Sequence, residues 1–329
     1  MKILITGAFG NIGKAVIEEA YKKGHEVTVF EIENRKTRKI AFKYRKKIKK
    51  VFYSDIRNLE NVKQAVQDID AVIHLAAIIP PLSQTNRDLT MAVNLGGTKN
   101  LITAIKETKR SIPLIFSSSA SVMGSTQSQD KLVSRNDPLV ITQNYEESKI
   151  KCEELLNDTA DNYLVFRLAG VLPLYTPLTL GYLFGYMEEV FDMHFDSRME
   201  MILDVDIATA LVTGIEKLHN STTPKNQAYI LGGGKENSLQ FKGLEFLTKL
   251  FGSFSLPVPD KKYFTTDIEA FHLDWHDTIE AQKEFHFQNH TLDEYIQYIT
   301  KRFRAFKLPI KLFKKIIIKW LVKKSPYYQ

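Results

Sequence analysis

A single cysteine, Cys152, stands among the 329 residues, so no intrachain disulfide can form and no cysteine cluster can hold a metal. That scarcity matches a reducing cytoplasm, and a chain this long can bury a core without a disulfide or structural metal. Long apolar runs are also missing. No stretch reaches the ~18 consecutive apolar residues of a spanning helix, and the opening MKILITG is too short an apolar run for a signal peptide and lacks a cleavage site. Internal repeats, low-complexity tracts and Cys/His groups at metal spacing are absent. The composition that remains, 44% hydrophobic and 25% charged, excludes a disordered chain, a collagen-like repeat and a polytopic membrane protein.

Acid is absent from two stretches. Residues 35–50 and 301–329 each hold ten Lys or Arg and no Asp or Glu. The rest of the chain carries 25 basic and 38 acidic residues, so the net charge of +7 describes an acidic body with two basic appendages. Neither stretch carries a recognisable nucleic-acid module or base-stacking aromatics in series, so nucleic acid is not an expected partner.

The first half alternates strand and helix. KILITG, HEVTVFEI, KVFYSDI, AVIHLAA and PLIFSSSA read as short apolar strands. NIGKAVIEEAYKKG, NLENVKQAVQDI and LTMAVNLGGTKNLITAIKET read as the helices among them. That alternation predicts a Rossmann-type, doubly wound parallel sheet covered on both faces. Beyond it, NYEESKIKCEELLND reads as a helix, YLVFRLAGVL as a strand entering a loop, RMEMILDVDIATALVTGIEKL as strand then helix, and AYILGGG as a strand. The expected organisation is an α/β dinucleotide-binding domain over 1–166 with a return near 204–232. A smaller mixed substrate lobe takes 167–203 and 233–300, and a basic tail takes 301–329.

Thr6-Gly7-Ala8-Phe9-Gly10-Asn11-Ile12-Gly13 joins the first strand to the first helix. In this G-x-x-G-x-x-G turn, Gly7 permits the bend, Gly10 lets a pyrophosphate approach the backbone and Gly13 lets the helix pack on the strand. The helix start, with Asn11 and Ile12, then presents its N–H groups to the phosphates. Glu31 follows at the end of the second strand, where a carboxylate accepts from the ribose hydroxyls and repels a 2′-phosphate. NAD is therefore expected in preference to NADP, although Arg35, Lys36 and Arg38 stand close by.

The chain resembles the extended short-chain dehydrogenase/reductase superfamily, in its NAD-dependent epimerase/dehydratase branch, from residue 1 to about residue 300. TGAFGNIG is similar to its glycine turn. Asp55-Ile56 matches its adenine-binding acid, and His74-Leu75-Ala76-Ala77 its H-x-A-A. VNLGGTKNL, with Asn94, matches its fifth-segment helix, and FSSSASVMG its serine segment, with Met123 at the usual tyrosine. Tyr145-Glu146-Glu147-Ser148-Lys149 matches Y-x-x-S-K, and RLAGVLP and LDVDIATAL match its later segments. The resemblance implies that Phe9, Leu75, Ala76, Ala77, Asn94 and Ser117 meet the cofactor. It also implies that Lys149 binds the nicotinamide ribose and lowers the Tyr145 pKa, that Tyr145 moves the proton while a hydride passes, and that Ser119 holds the reacting oxygen. Tyr145 and Lys149, four apart on a helix, share one face, and an adjacent cation favours phenolate. Retention of all three residues favours an enzyme over a non-catalytic dinucleotide sensor of the same fold, the alternative reading.

Departures from the family pattern bear on the substrate. Dehydratases of the branch carry an acidic pair beside the serine, where this chain has Ala120-Ser121. Arg198 is the candidate for a substrate diphosphate, one position out of register. The asparagine and histidine common in the later segments are Gly170 and Leu203. A nucleotide sugar is thus one candidate substrate, and the apolar IIPPLSQTNRD segment leaves room for a less polar one. His74 and Cys152 read as packed residues, and Asp204 and Asp206 as capping or interlobe residues. Over 309–324, outside the resemblance, a helix would gather Ile310, Phe313, Ile316, Ile317, Trp320 and Leu321 on one side and Lys311, Lys315, Lys319 and Lys323 mostly on the other. That pattern suits peripheral contact with an anionic membrane face, or packing on the substrate lobe or on a second subunit of a homodimer.

Overall fold

Strand β1 (Lys2–Thr6) is buried along almost its whole length and pairs in parallel with both β2 (Glu26–Glu31) and β4 (Ala71–His74). Such a strand, apolar on both faces, must sit inside a sheet covered on both sides. The computed structural model describes residues 1–175, 189–270 and 273–328. Its main sheet runs β3-β2-β1-β4-β5-β6-β9, all parallel, with β3 at Ile48–Tyr53, β5 at Leu114–Ser119, β6 at Tyr163–Leu168 and β9 at Gln227–Leu231. The order reverses between β1 and β4, and a ligand crevice is expected outside the carboxyl ends of strands at such a switch point.

Helices α1 (Asn11–Lys22) and α7 (Asp204–His219) cover one face. Val16, Ile17, Ala20, Ile207 and Leu211 share a core there with Ile3, Ile5 and Ile73. Helices α3 (Leu59–Val66), α5 (Arg87–Glu107) and α6 (Asn144–Thr159) cover the other, where Val62, Leu101 and Leu156 pack on Leu4, Val72 and Phe116. Side chains alternate along a strand, which is why Leu4 meets one layer and Ile3 and Ile5 the other. The basic stretch begins as α2 (Arg35–Tyr44), capped by Asn34 and anchored by buried Thr37 and Tyr44, with its cations outward. A one-turn α4 (Leu82–Thr85) precedes α5.

The second lobe is built on a three-stranded sheet, β10-β8-β7, with β7 at Gly170–Leu172, β8 at Arg198–Leu203 and β10 at Gln240–Lys242. Phe191, Met199, Phe241, Phe246, Leu292 and Ile299 form its core with α8 (Gly243–Ser253) and α10 (Leu292–Arg302). Residues 176–188, inside the stretch assigned to this lobe, lie outside the described residues. The return near 204–232 appears as α7 and β9 in the larger lobe. The 233–300 segment does not stay in the smaller one: α9 (Ile279–Phe285) and Phe287 pack into the larger lobe's core, because Phe285 meets Phe166 and Tyr229 edge-on.

The tail departs from a single helix. It forms α11 (Lys307–Leu312) and α12 (Lys314–Val322), divided at Phe313. Leu321 and Val322 turn inward and Ile318 is half-buried on the substrate-lobe core, whereas Phe313, Ile316 and Trp320 stay exposed. The expected grouping of Leu321 with those three is therefore corrected, since Leu321 packs into the substrate-lobe core. No helix among the described residues is long and apolar enough to cross a membrane.

Candidate active site

A cleft of about 870 Å³ opens at the carboxyl ends of β1, β2, β4 and β5. At one end lies the glycine turn. Gly7 has φ +67°, and a Cβ there would stand 2.7 Å from the backbone nitrogen of Ala76. A Cβ on Gly13 would stand 2.5 Å from the Ala8 carbonyl oxygen, so both positions require glycine. At Gly10 the closest neighbour is the Gly7 carbonyl at 3.3 Å, and the space beyond is the cradle that a Cβ would begin to fill. Asn11, Ile12 and Gly13 line the same wall.

Glu31 lines the cleft from the end of β2. Its carboxylate accepts from the backbone N–H of Phe9 (3.1 Å) and of Ile32 (3.0 Å), while burial pushes its pKa up. Each oxygen thus keeps accepting capacity for a ribose hydroxyl. Phe9 itself is buried, so its part is the backbone N–H that aims Glu31 rather than a side chain in the cleft. Asp55 and Ile56 follow β3 along the wall. Asp55 is held in a fork by Arg57 (2.6 and 3.0 Å), whose hydrogen bonds hold its carboxyl below the usual range. Arg57, unmarked by any motif, also lines the cleft.

Leu75, Ala76 and Ala77 form the floor after β4. Asn94 stands behind it: its side chain accepts from the Ile78 N–H (2.7 Å) and donates to the Ile78 carbonyl (3.0 Å) and the Ser148 hydroxyl (2.9 Å). It therefore ties the loop after β4 to α6 and stays out of the cleft. His74 is packed between the Thr6 and Thr98 hydroxyls (2.6 and 3.1 Å), and burial, then the nearby Lys149, lowers its pKa to about 3. Cys152 is fully buried.

The far end of the cleft gathers Ser117, Ser119, Tyr145 and Lys149. Ser117 donates to the His74 carbonyl (3.2 Å), and Ser118 to Glu153, itself paired with Arg167. Ser119 is bonded to the Ser121 hydroxyl at 2.8 Å. Lys149 donates to the Ser117 carbonyl (2.7 Å) and lies 5.7 Å from the centre of the Tyr145 ring. Burial lowers the Lys149 pKa to about 8. Burial, then the neighbouring Glu146, raises that of Tyr145.

Arg198 is not in this cleft. Its guanidinium donates to Asp274 (2.7 and 2.9 Å) and to the carbonyls of Thr126 and Gln129 (3.0 and 2.6 Å). The expected substrate contact is corrected: the charge is neutralised by Asp274 and bridges segments of the two lobes. Asp204 accepts from the N–H groups of Leu174 and Tyr175, and Asp206 holds His290 (2.6 Å). Sequence reasoning passed over Glu146 and Ser121. Glu146, in the first turn of α6, is buried, with Ser121 donating to its Oε1 at 2.9 Å.

A parallel sheet with a reversed strand order, a glycine turn at the first strand–helix junction and an acid closing the second strand defines a Rossmann-type dinucleotide-binding protein with a second lobe. The NAD dependent epimerase/dehydratase family matches residues 3–176, and the chain belongs to that family. Among curated relatives it is 33% identical over 127 residues to a UDP-glucose 4-epimerase of Mycoplasma pneumoniae, 38% of this chain and 37% of that one. It is 31% identical over 120 residues to a human sterol-4-alpha-carboxylate 3-dehydrogenase (decarboxylating), 36% of this chain and 29% of that one. The matches thus span about a third of these relatives' length. Among solved structures, a UDP-glucose-4-epimerase from Stenotrophomonas maltophila with bound NAD and formylated UDP-arabinopyranose superposes with TM-score 0.73 at 21% identity, over 94% of this chain and 99% of that one. A dTDP-glucose 4,6-dehydratase from Streptomyces venezuelae with NAD and TYD bound gives 0.75 at 17%, over 93% and 97%. These two show the fold.

Proposed function

We propose that this protein is an NAD-dependent oxidoreductase or epimerase acting at a hydroxyl or carbonyl carbon of a small molecule, with nucleotide sugars the first class to test. The observation that carries the reading is one continuous cleft with the glycine turn and Glu31 at one end and Ser119, Tyr145 and Lys149 at the other. The residues fit a dinucleotide. Gly7 and Gly13 are forced by close backbone approach, Gly10 leaves space for phosphate, and Glu31 presents a carboxylate where the adenosine ribose would lie. NAD held there supplies a hydride acceptor or donor. Lys149 would hold the nicotinamide ribose, and its charge favours the Tyr145 phenolate; Tyr145 would exchange the proton with the substrate oxygen, and Ser119 would hydrogen-bond the same oxygen. The relatives that are UDP-sugar enzymes support the substrate class, as the sterol relative supports a less polar one.

The test is a panel of UDP- and dTDP-sugars and apolar secondary alcohols with NAD, read as product stereochemistry and as NADH release. Tyr145→Phe is expected to remove nearly all turnover while NAD binding survives, and Lys149→Met to weaken both. Near-normal turnover by Tyr145→Phe would refute the mechanism.

The tail supports a peripheral membrane contact. Leu308, Leu312, Phe313, Ile316 and Trp320 are exposed beside Lys311, Lys315 and Lys319, and no acid lies in 301–329 to attract a protein partner's cations. An anionic lipid surface satisfies both the charge and the apolar side chains. The full chain is expected to sediment with vesicles rich in phosphatidylserine, and Phe313→Ser/Ile316→Ser to reduce this strongly. Equal, negligible pelleting with concentration-dependent dimerisation would assign the face to a second copy.

A further inference from the structure

The catalytic serine does not stand alone. Ser119 Oγ lies 2.8 Å from Ser121 Oγ, which lies 2.9 Å from Glu146 Oε1. Glu146 is 5% exposed, and its other oxygen is buried with no hydrogen-bond partner. A buried carboxyl oxygen without a partner is uncommon and points to a role beyond packing. The direction of the donors follows from counting protons. An ionised carboxylate only accepts, and each hydroxyl has one proton. With Glu146 ionised, Ser121 donates to Glu146 and Ser119 donates to Ser121. Ser119 then faces the cleft only as an acceptor, fit to take the proton of a substrate alcohol. With Glu146 protonated on Oε1 every bond reverses, and Ser119 faces the cleft as a donor, fit for a carbonyl oxygen.

We propose that Glu146, acting through Ser121 and Ser119, is the positioning residue that sets this direction and the store for a second proton route beside Tyr145. The step rests on the hydride-transfer reading above. The substrate O–H bond breaks and its proton passes to Ser119 Oγ; the Ser119 proton passes to Ser121 Oγ, and the Ser121 proton to the Glu146 carboxylate. The adjacent C–H hydrogen leaves with its electron pair to an oxidised nicotinamide dinucleotide. A carbonyl, a reduced dinucleotide and a neutral Glu146 result, and the reverse reaction restores each. The route serves when Tyr145 is a phenol, the form that burial and the Glu146 charge favour. Besides these hydroxyls, Tyr145 is a titratable group that feels the Glu146 charge. Arg87 of α5 is committed to Glu147, and Arg167 of β6 to Glu153.

The proposal is tested with Glu146→Gln, Glu146→Asp and Ser121→Ala in the full chain. With the sugar or alcohol that the panel turns over, Tyr145→Phe is expected to keep a small residual kcat at neutral pH, and Glu146→Gln or Ser121→Ala in that background to lower it at least tenfold, with KM and NAD affinity unchanged. Adding both substitutions should cost no more than either one, and Glu146→Asp should recover part of the residual rate. An equal residual rate in all of these variants, or a loss accompanied by weaker NAD binding, would overturn the proposal. A second readout needs no substrate. Infrared difference spectra of NAD-loaded wild type minus Glu146→Gln are expected to show a carboxylate band. A carboxylic-acid band in its place would overturn the proposal even if hydride transfer holds. Failure to bind NAD, or full activity of Tyr145→Phe, would instead refute the hydride-transfer reading.

Discussion

At the scale of single residues, the cofactor preference rests on Glu31. A carboxylate that backbone N–H groups already fix in place cannot turn aside for a 2′-phosphate, and Arg35, Lys36 and Arg38 point outward on α2. NAD is expected to bind at least about tenfold more tightly than NADP, a difference of ~1.4 kcal/mol, and Glu31→Ser to narrow that ratio. Parallel titrations of both dinucleotides decide it. Lys149 adds a pH dependence. Its pKa of about 8 means that the ammonium is present below that value and lost above it. The affinity for NADH should fall several-fold as pH rises past 8 in the wild type, and stay flat in Lys149→Met.

At the scale of elements, the glycines separate into those that geometry demands and those it does not. In Gly13→Ala the new methyl would meet the Ala8 backbone at 2.5 Å, with no flexible side chain able to yield. A loss of ~1–3 kcal/mol in stability is expected, with impaired NAD binding, because α1 must move away from β1. Gly252, near the end of α8, has nothing within 4 Å of its would-be Cβ. Gly252→Ala should stabilise the chain by ~0.4–1 kcal/mol through the unfolded state. Thermal melts of the two variants should therefore move in opposite directions.

At the scale of the whole molecule, two buried polar arrangements tie the parts together. The Arg198–Asp274 pair, 14% and 3% exposed, lies in the smaller lobe, and its hydrogen bonds with Thr126 and Gln129 reach a segment of the larger one. Arg198→Met would leave Asp274 buried without its cation, and such losses run to ~3–5 kcal/mol. Urea unfolding should show that loss, and an unchanged KM would separate this role from substrate binding. His74 links β1, β4 and α5 in its neutral form. Its pKa of about 3 lies below the ordinary 6.5. Between those values the unfolded chain binds the proton and the folded one does not, so this contribution is complete above pH 6.5 and is lost on acidification toward 3. The slope is at most ~1.4 kcal/mol per pH unit. Wild type should lose more stability than His74→Asn between pH 6.5 and 4.5.

Local pattern was enough for the sheet, the glycine turn, Glu31 and the pairing of Tyr145 with Lys149. Each depends on residues close in the chain: apolar runs of strand length, a turn that tolerates only glycine, and a four-residue spacing on one helix face. The smaller lobe was less legible, because α9 is drawn to Phe166 and Tyr229 from across the chain and no local period announces that contact. Arg198 looked free to meet a diphosphate until Asp274, 76 residues away, was brought against it. The tail divides into two helices at Phe313, and the substrate-lobe core draws Leu321 inward. The acid missing from Ala120-Ser121 in the sequence is supplied to Ser121 by Glu146 from 25 residues further on. Spacing along a chain dictates which neighbours can share a face, but charge partners and relays are made by packing, and there the tertiary structure alone decided which carboxylate reached which hydroxyl.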